Sequence, residues 1–307
     1  MVAASKTAAL VALLDDSGQL HVLGRGRGGP SNFDSAGKQH SLASLDRAVD
    51  EALAEANLQG QTVDCAVLAL AGSAFSDVRD TVSAWAQKRN LSAHVEIIHD
   101  AEPVLASGAD GGRGVALIVG TGSVAVGINA KGATVTVGGW GHWFGDRGSG
   151  FDLGRKALSA VAEASDGTGP KTVMCELVLD RLGISNPRHI LHKVSATGDV
   201  RCEVAALAPL VLEAAALGDT VANDIVRNAL AEAVKLVAAV ANQLAFSAPY
   251  PLMLAGGVVC RNRLFRDRLI SRLGALNPAP EPVCVVDEPV TGCLKIARQN
   301  LLVLRSA

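Results

Sequence analysis

The sequence has 307 residues, of which 49% are apolar and 19% are charged; this length predicts two domains of about 100–200 residues each, and the composition excludes a disordered chain. Its 28 Lys and Arg residues nearly balance its 30 Asp and Glu residues, so the net charge provides no attraction to nucleic acid or to an anionic membrane. We therefore expect neither as a partner.

The six cysteines favour a reducing compartment. The two that lie closest in sequence, Cys284 and Cys293, are nine residues apart, which excludes a C-x-x-C metal clip and a compact disulfide framework. The apolar run at residues 8–14 ends in two aspartates without a cleavage site, and no apolar run is as long as a membrane span. We expect a cytoplasmic protein with no metal ligand set of its own.

Short β-type runs alternate with longer helical patterns along the chain, which is typical of an α/β protein. The predicted strands cover residues 8–14, 20–23, 64–70, 95–98, 115–119, 123–128, 133–137 and 251–254. The predicted helices, in which apolar residues recur three and four apart, cover residues 41–56, 76–88, 151–163, 172–181, 204–216, 220–244, 261–273 and 291–302.

One pattern occurs twice. In residues 4–24 and again in residues 120–138, a segment with hydroxyl side chains leads into a strand, a turn and a second strand that ends at a glycine. The second copy has the strand 115–119 before its loop, whereas the first copy has no such strand. The pattern indicates a duplication, although two unrelated hairpins would look the same.

A glycine cluster at residues 108–114 separates the two copies and is the predicted domain boundary. The first domain then covers residues 1–112 and the second covers residues 113–307. The last helix of the chain is expected either to stay with the second domain or to pack back on the first.

Residues 24–32 read Gly-Arg-Gly-Arg-Gly-Gly-Pro-Ser-Asn. Two arginines in one short stretch are too few for an RNA-binding segment. We predict a loop in which Ser31 and Asn32 face a cleft while Arg25 and Arg27 are solvated.

Asp100 lies where the predicted strand 95–98 gives way to a helix. A carboxylate at such a place serves either as the helix N-cap or as a general base that accepts a proton from a substrate hydroxyl above the sheet edge. Taken alone, the local sequence favours the cap.

The segment Gly120-Thr-Gly-Ser123 follows a buried-strand pattern and leads into another strand rather than a helix. This order indicates a hairpin tip and excludes a Walker loop or a dinucleotide fold. Glycines and hydroxyls at such a tip are suited to hold phosphate through backbone N–H groups. An ordinary turn is the alternative.

The densest cluster of the chain is residues 138–150, with six glycines, two tryptophans and Asp146. Aromatic walls with polar edges are typical of a site for a carbohydrate or another small polar ligand. A flexible linker is the alternative, but linkers do not carry aromatics at this density.

The predicted strand 251–254 runs into Ala255 and the paired glycines Gly256 and Gly257, which precede a helix. Glycines at a strand end remove the side chains that would block a base or ribose, and the helix N-terminus favours negative charge. An ordinary strand-to-helix turn is the alternative.

Taken together in this order, the motifs resemble those of the N-acetylglucosamine kinase family, within the BadF/BadG/BcrA/BcrD ATPases and the wider superfamily of actin and hexokinases. The resemblance covers almost the whole chain. The matching segments are residues 99–101, 119–123, 138–142 with 145–146 and 148–149, 254–257, and 289–294.

The resemblance implies two duplicated α/β domains of the actin/hexokinase-like, ribonuclease H-like ATPase type, with a cleft between them. It implies that ATP binds mainly to the second domain and that Asp100 removes the proton from the 6-hydroxyl of N-acetylglucosamine or a related sugar. That oxygen then attacks the γ-phosphate while Mg²⁺ offsets the developing charge. A homodimer is implied as well.

The resemblance also implies the binding residues. The sugar pocket is expected to contain Ser31, Asn32, Gly72, Trp140 and Asp146. The ATP site is expected to contain the first phosphate loop, Ser5, Lys6 and Thr7, the second phosphate loop, Gly120, Thr121, Gly122 and Ser123, and the adenosine border, Ala255, Gly256 and Gly257.

Two departures from the family pattern stand out. The family opens with a strand and an acidic first phosphate loop, whereas residues 1–7 here carry no acidic residue and follow no strand. A start site placed too late and a genuine loss of activity explain this equally well. Arg147 replaces a glutamate beside Asp146, which favours an anionic sugar such as a muramic acid derivative.

Two other classes of protein remain open. One is a sugar- or nucleotide-binding relative that has lost catalysis. The other is an ATPase that activates an iron–sulfur CoA dehydratase or reductase, but such proteins supply cluster-binding cysteines, and the six cysteines here lack that spacing.

Overall fold

The computed structural model describes residues 2–3, 6–196 and 198–306. The chain divides into two compact units. Unit 1 comprises the chain up to Arg113 together with the segment from Glu288 onward, and unit 2 comprises Gly114–Asp287. The C-terminal segment thus belongs to unit 1.

Within the described residues, the strands are β1 (Val2–Ala3), β2 (Lys6–Leu14), β3 (Leu20–Gly28), β4 (Ala66–Leu70), β5 (Val95–His99), β6 (Gly114–Val119), β7 (Ser123–Ile128), β8 (Thr134–Gly138), β9 (Tyr250–Ala255) and β10 (Pro280–Val285). The α-helices are α1 (Phe33–Ala36), α2 (Lys38–Glu55), α3 (Ser76–Lys88), α4 (Glu102–Gly108), α5 (Gly141–Phe144), α6 (Gly150–Asp166), α7 (Met174–Leu182), α8 (Ile190–Ser195), α9 (Val200–Ala205), α10 (Ala208–Ala216), α11 (Thr220–Gln243), α12 (Gly257–Arg261), α13 (Arg263–Leu273) and α14 (Val290–Ser306). The predicted α/β class is confirmed.

The sheet of unit 2 is continuous, with strand order β10-β9-β6-β7-β8. The hairpin strands β6, β7 and β8 are antiparallel neighbours, and β9 and β10 extend the sheet in parallel. Buried Leu117, Leu254 and Phe265 belong to one apolar cluster that joins this sheet to the surrounding helices. The parallel strands β6 and β9 therefore bring their carboxyl ends to the same edge of the sheet.

The strands of unit 1 form two separate sheets, the antiparallel β1-β2-β3 and the parallel pair β4-β5. The strand β1 pairs for only two residues, opposite Lys6 and Thr7, whereas β6, at the corresponding place in unit 2, has six residues. Although β1 lies beside β4, no ladder joins them among the described residues. Among the described residues, the sheet of unit 1 is therefore divided, and the strand that precedes its hairpin is short.

The predicted loop around Arg25 and Arg27 is wrong for its first half, because residues up to Gly28 belong to β3. Cβ atoms on Gly24, Gly26 and Gly28 would lie 2.1, 1.8 and 2.0 Å from backbone oxygens of α2. The alternating glycines therefore let α2 pack directly on the strand backbone. Both arginines are exposed, and Arg25 forms an ion pair with Glu288.

Two predicted helices are each interrupted in the structure. The predicted helix 204–216 divides into α9 and α10, because Pro209 at the start of α10 has no N–H to continue a helix. The predicted helix 261–273 divides at Asn262, whose side chain caps α13 by accepting the N–H of Phe265 at 2.7 Å.

A search of the described residues finds no single helix that is long and apolar enough to cross a membrane. One pair of segments, Val200–Ala216 with Thr220–Gln243, meets the length and composition criteria together, but it is bent by 117°.

Candidate functional site

The loop Gly120-Thr-Gly-Ser123 joins β6 and β7 and closes on itself, since the Gly120 N–H donates to the Gly122 carbonyl at 2.9 Å. The start of α6 holds the loop from the other side. The N–H groups of Gly150 and Phe151 donate to the carbonyls of Gly120 and Thr121 at 2.8 and 3.1 Å. The predicted hairpin tip is thus a fixed loop at the carboxyl end of β6.

The start of α6 is itself well capped. Ser149 accepts the N–H of Asp152 at 3.2 Å, and Asp152 accepts the N–H of Gly148 at 2.9 Å. Burial raises the pKa of Asp152, but the hydrogen bonds from Lys156 and from the Gly148 N–H outweigh burial, so its pKa lies below the ordinary value. The charged carboxylate therefore stabilises the segment that supports the loop.

The end of β9 lies against the same loop. Gly256 has a φ of 96°, and a Cβ there would lie 2.5 Å from the carbonyl carbon and oxygen of Val119. Ala255 is buried, whereas a Cβ on Gly257 would meet nothing within 4 Å. The structure thus brings the two predicted ATP segments of unit 2 together and leaves open space at Gly257.

Asp146 is buried beside this loop, with a φ of 51° that turns its side chain inward. Its Oδ1 accepts the N–H of Ser123 at 3.0 Å, and its Oδ2 lies 2.8 Å from Nη2 of Arg201. The sequence predicts Asp146 for the sugar pocket. A carboxylate has lone pairs beyond these two contacts, so the sugar contact stays a prediction.

The segment around α5 presents exposed aromatic rings. Trp140, Trp143 and Phe144 are 75%, 81% and 85% exposed. His142 anchors the segment, because its ring packs edge-on against Phe151 at 5.1 Å. Arg147 is exposed as well, while its carbonyl accepts the hydroxyl of Ser123 at 2.9 Å.

Asp100 follows β5 directly, at the carboxyl end of the parallel pair β4-β5. The loop after β4 contains Gly72, with a φ of 82°, at the same edge. The N-cap of α4 is Ala101, and no side chain caps that helix. The structure therefore removes the capping alternative for Asp100.

Burial is the main influence on Asp100 and raises the pKa of its carboxyl group, against an opposing effect of His99. Nδ1 of His99 lies 3.1 Å from Oδ1 of Asp100 and accepts the N–H of Ala101 at 3.2 Å. Hydrogen bonds from the backbone N–H groups of Asp100 and Ala101 also lower this pKa, but burial outweighs them.

The first predicted phosphate loop is described only in part, because Ser5 lies outside the described residues. Lys6 is exposed, whereas Thr7 and Ser31 are buried. The hydroxyl of Thr7 donates to the Gly29 carbonyl at 2.9 Å, so the short hydrogen bond between the two hydroxyls has Ser31 as its donor. Asn32 is half-buried next to Ser31.

Sequence reasoning did not identify Arg201. It lies 55 residues after Asp146, in a helix that carries no recognisable motif, so no sequence signal points to it.

The six cysteines are all free. In the described parts of the chain, no group of three or more His, Cys, Asp or Glu side chains is arranged to hold a metal ion.

Known proteins are similar to this chain over most of its length. The sequence matches the model of the BadF/BadG/BcrA/BcrD ATPase family over residues 6–276. A curated relative, the N-acetylmuramic acid/N-acetylglucosamine kinase of Clostridium acetobutylicum, is 28% identical over 273 residues, which cover 89% of each chain.

Two solved structures are similar along nearly the whole chain. A candidate N-acetylglucosamine kinase from Chromobacterium violaceum has a TM-score of 0.74 at 24% identity and covers 96% of both chains. A ROK family glucokinase from Streptomyces griseus, solved with glucose and AMPPNP, has a TM-score of 0.57 at 18% identity and covers 97% of both chains. At these identities the likeness shows a shared fold.

Proposed function

The chain belongs to the BadF/BadG/BcrA/BcrD ATPase family and has the actin/hexokinase-like fold of sugar kinases, and from this premise we propose that it transfers the γ-phosphate of ATP to the 6-hydroxyl of an amino sugar. The class of enzyme, a sugar kinase, follows from relatives that match nearly the whole chain. The acceptor atom and the residue roles are our proposal.

The observation that carries the proposal is the place of Asp100. Its carboxylate lies at a sheet edge where parallel strands end, caps no helix, and has a pKa that is raised by its partial burial. A carboxylate of raised pKa is a better proton acceptor than an ordinary one at neutral pH. Asp100 takes the proton of the sugar hydroxyl, the oxygen forms a bond to the γ-phosphorus, and the bond to ADP breaks.

The nucleotide is assigned to unit 2. The loop Gly120–Ser123 is held rigidly by α6, and Gly256 brings the end of β9 against it. Glycine backbone at such a loop suits phosphate oxygens, and the open space at Gly257 suits adenosine. Mg²⁺ would be held mainly by the phosphates of the nucleotide and would offset their charge, because it keeps several waters and is usually bound by phosphates with one or two carboxylates.

The sugar is an N-acetylglucosamine or an N-acetylmuramic acid. The named activity of the Clostridium acetobutylicum relative includes both sugars. The exposed guanidinium of Arg147 suits the lactyl carboxylate of the second sugar. Ser31, Asn32, Gly72, Trp140 and Asp146 are the predicted sugar contacts. A cytoplasmic location and a homodimer also remain predictions.

The test is an assay of the purified chain with ATP, Mg²⁺ and a panel of amino sugars, in which the phosphorylated sugar is detected by mass spectrometry. Asp100→Asn is the test variant, and Asp80→Asn, which changes an exposed aspartate of unit 1, is the matched control. We expect a sugar 6-phosphate with the unaltered chain and with Asp80→Asn, and none with Asp100→Asn.

The other outcomes separate the alternatives. Sugar binding without product would indicate a relative that has lost catalysis. ATP hydrolysis that no sugar stimulates would favour an ATPase activator. Equal product with Asp100→Asn would remove Asp100 from the chemistry.

A further inference from the structure

Arg201, at the start of α9, reaches the second phosphate loop through a salt bridge that the sequence did not suggest. Its Nη2 lies 2.8 Å from Oδ2 of Asp146, and the two side chains are 16% and 3% exposed. Asp146 in turn accepts the N–H of Ser123. The guanidinium therefore lies in contact with the loop residues rather than in solvent.

Gly122 shows how close this contact is. A Cβ on Gly122 would lie 2.8 Å from Nη2 of Arg201 and 2.6 Å from Oδ1 of Asp146. Such distances leave no room for a side chain, so the guanidinium lies directly against the loop backbone. A phosphate bound on this side of the loop would lie beside the guanidinium.

The guanidinium has donors that the protein does not use. Its Nε is buried and has no hydrogen-bond partner among the described residues, although a guanidinium carries five N–H donors. Leaving a buried donor without an acceptor is unfavourable. Arg89 also has an unpartnered Nε, but two carboxylates, Asp46 and Asp50, accept from its other nitrogens, whereas Arg201 has one.

The backbone around Arg201 is fixed before any ligand binds. Asp199 caps α9 by accepting the N–H of Cys202 at 3.0 Å. The helix packs on α6 so closely that a Cβ on Gly154 would lie 1.8 Å from the carbonyl oxygen of Val204. A fixed backbone and an ion pair hold the side chain in place, which lowers the entropic cost of using it to bind an anion.

We propose that Arg201 is a nucleotide-binding residue that donates to the β- or γ-phosphate oxygens of ATP. This inference rests on the proposed function, because it assigns the ligand of the loop as a nucleoside triphosphate. Phosphate oxygens satisfy the unused donors, and the charge of the phosphates replaces solvent beside the guanidinium. AMP lacks both of these phosphates, so Arg201 adds nothing to its binding affinity.

The experiment measures binding of ATP and of AMP without sugar, by calorimetry on the full chain. For Arg201→Gln we expect at least a tenfold weaker affinity for ATP and an AMP affinity within about twofold of the unaltered chain. Arg188→Gln is the matched control, because Arg188 is an exposed arginine of unit 2 with its own carboxylate partner, Asp166. It should leave both affinities unchanged.

Arg201→Lys is a second variant in case Arg201→Gln does not fold. Lysine keeps the charge opposite Asp146 but loses the planar fork of donors. We expect it to fold with an intermediate ratio of ATP to AMP affinity. An unchanged ratio in a folded variant, Gln or Lys, would overturn the inference, as would failure of the unaltered chain to bind ATP. A chain that binds ATP through Arg201 but phosphorylates no sugar would contradict the proposed function and leave this inference standing.

Discussion

At the scale of single residues, Asp100 combines two opposed properties. Burial raises the pKa of its carboxyl group above the ordinary 3.8, so the folded chain binds that proton more tightly than the unfolded chain does. Stability contributed by this group is therefore present at low pH and falls as the pH rises through the pKa of the folded state. At neutral pH the charge that the proposed mechanism requires is unfavourable for folding.

We expect Asp100→Asn to abolish turnover and to raise the midpoint of thermal unfolding at pH 7.5, because asparagine removes a partly buried charge at nearly constant shape. The gain should shrink as the pH is lowered towards 3.8, where the carboxyl group of the unaltered chain is protonated. Thermal unfolding followed at several pH values checks this.

The matched variant Asp80→Asn changes an exposed carboxylate and should leave the midpoint unchanged. A lower midpoint for Asp100→Asn than for the unaltered chain at pH 7.5 would show that the carboxylate stabilises the fold.

The positive charge of Arg147 is expected to determine which of the two sugars is preferred. For Arg147→Glu we expect the ratio of kcat/KM for N-acetylmuramic acid to that for N-acetylglucosamine to fall by about tenfold or more, because a carboxylate repels the lactyl group. Steady-state kinetics with both sugars provide the measurement, and Arg147→Gln separates lost attraction from added repulsion. An unchanged ratio would mean that Arg147 does not face the sugar.

The residue scale is also where sequence reasoning reaches its limit. The place of Asp100 between a strand and a helix is a local pattern, but that pattern alone favours a helix cap, and its proposed role comes from the family resemblance. The pairing of Asp146 with Arg201 joins positions 55 residues apart, and only the fold of unit 2 brings them together. The burial of Thr7 and Ser31 against each other is equally invisible in the sequence.

At the scale of elements, α2 and β3 form a contact that depends on missing side chains. Gly24, Gly26 and Gly28 alternate along one face of β3, and the helix oxygens they approach belong to residues spaced four apart. Every second residue of the strand therefore faces every fourth residue of the helix. The sequence Gly-Arg-Gly-Arg-Gly is explained by this packing.

Gly26→Ala should destabilise the protein by about 1–3 kcal/mol, because its Cβ would overlap the Ala48 carbonyl oxygen and force the helix away from the strand. Denaturant unfolding gives the free energy. Gly29→Ala is the control, since its Cβ would approach only the side chains of Ser44 and His40. Equal stability of the two variants would mean that α2 adjusts freely.

Strands and helices whose apolar periodicity is uninterrupted were predicted well. The strand β7 and the helix α3 coincide with the predicted residues 123–128 and 76–88. The strand β10 was missed because two of its six residues are prolines, which argue against a strand. An edge strand tolerates them, since its outer side needs no hydrogen bonds.

At the scale of the whole molecule, the two units differ in their cores. The described residues of unit 2 contain one extensive buried apolar cluster, whereas the clusters found among those of unit 1 are smaller. Because stability scales with the apolar surface that is buried, unit 1 should be the less stable of the two.

We therefore expect heating to unfold unit 1 first. Trp85 is 8% exposed and lies in unit 1, whereas Trp140 and Trp143 are already largely in water, so a red shift of the fluorescence reports unit 1. Circular dichroism reports both units. The fluorescence midpoint should lie at the lower temperature, and coincident transitions would instead indicate a single cooperative unit.

The divided sheet of unit 1 should affect the rate of hydrogen–deuterium exchange at its backbone amides. In unit 2, β6 is hydrogen-bonded to β7 on one side and to β9 on the other, so its amides should exchange only when the sheet opens. In unit 1, β4 pairs with β5, and no ladder among the described residues joins it to β1. The backbone amides of β4 should therefore exchange faster than those of β6, so that a single chain compares a divided sheet with a continuous one.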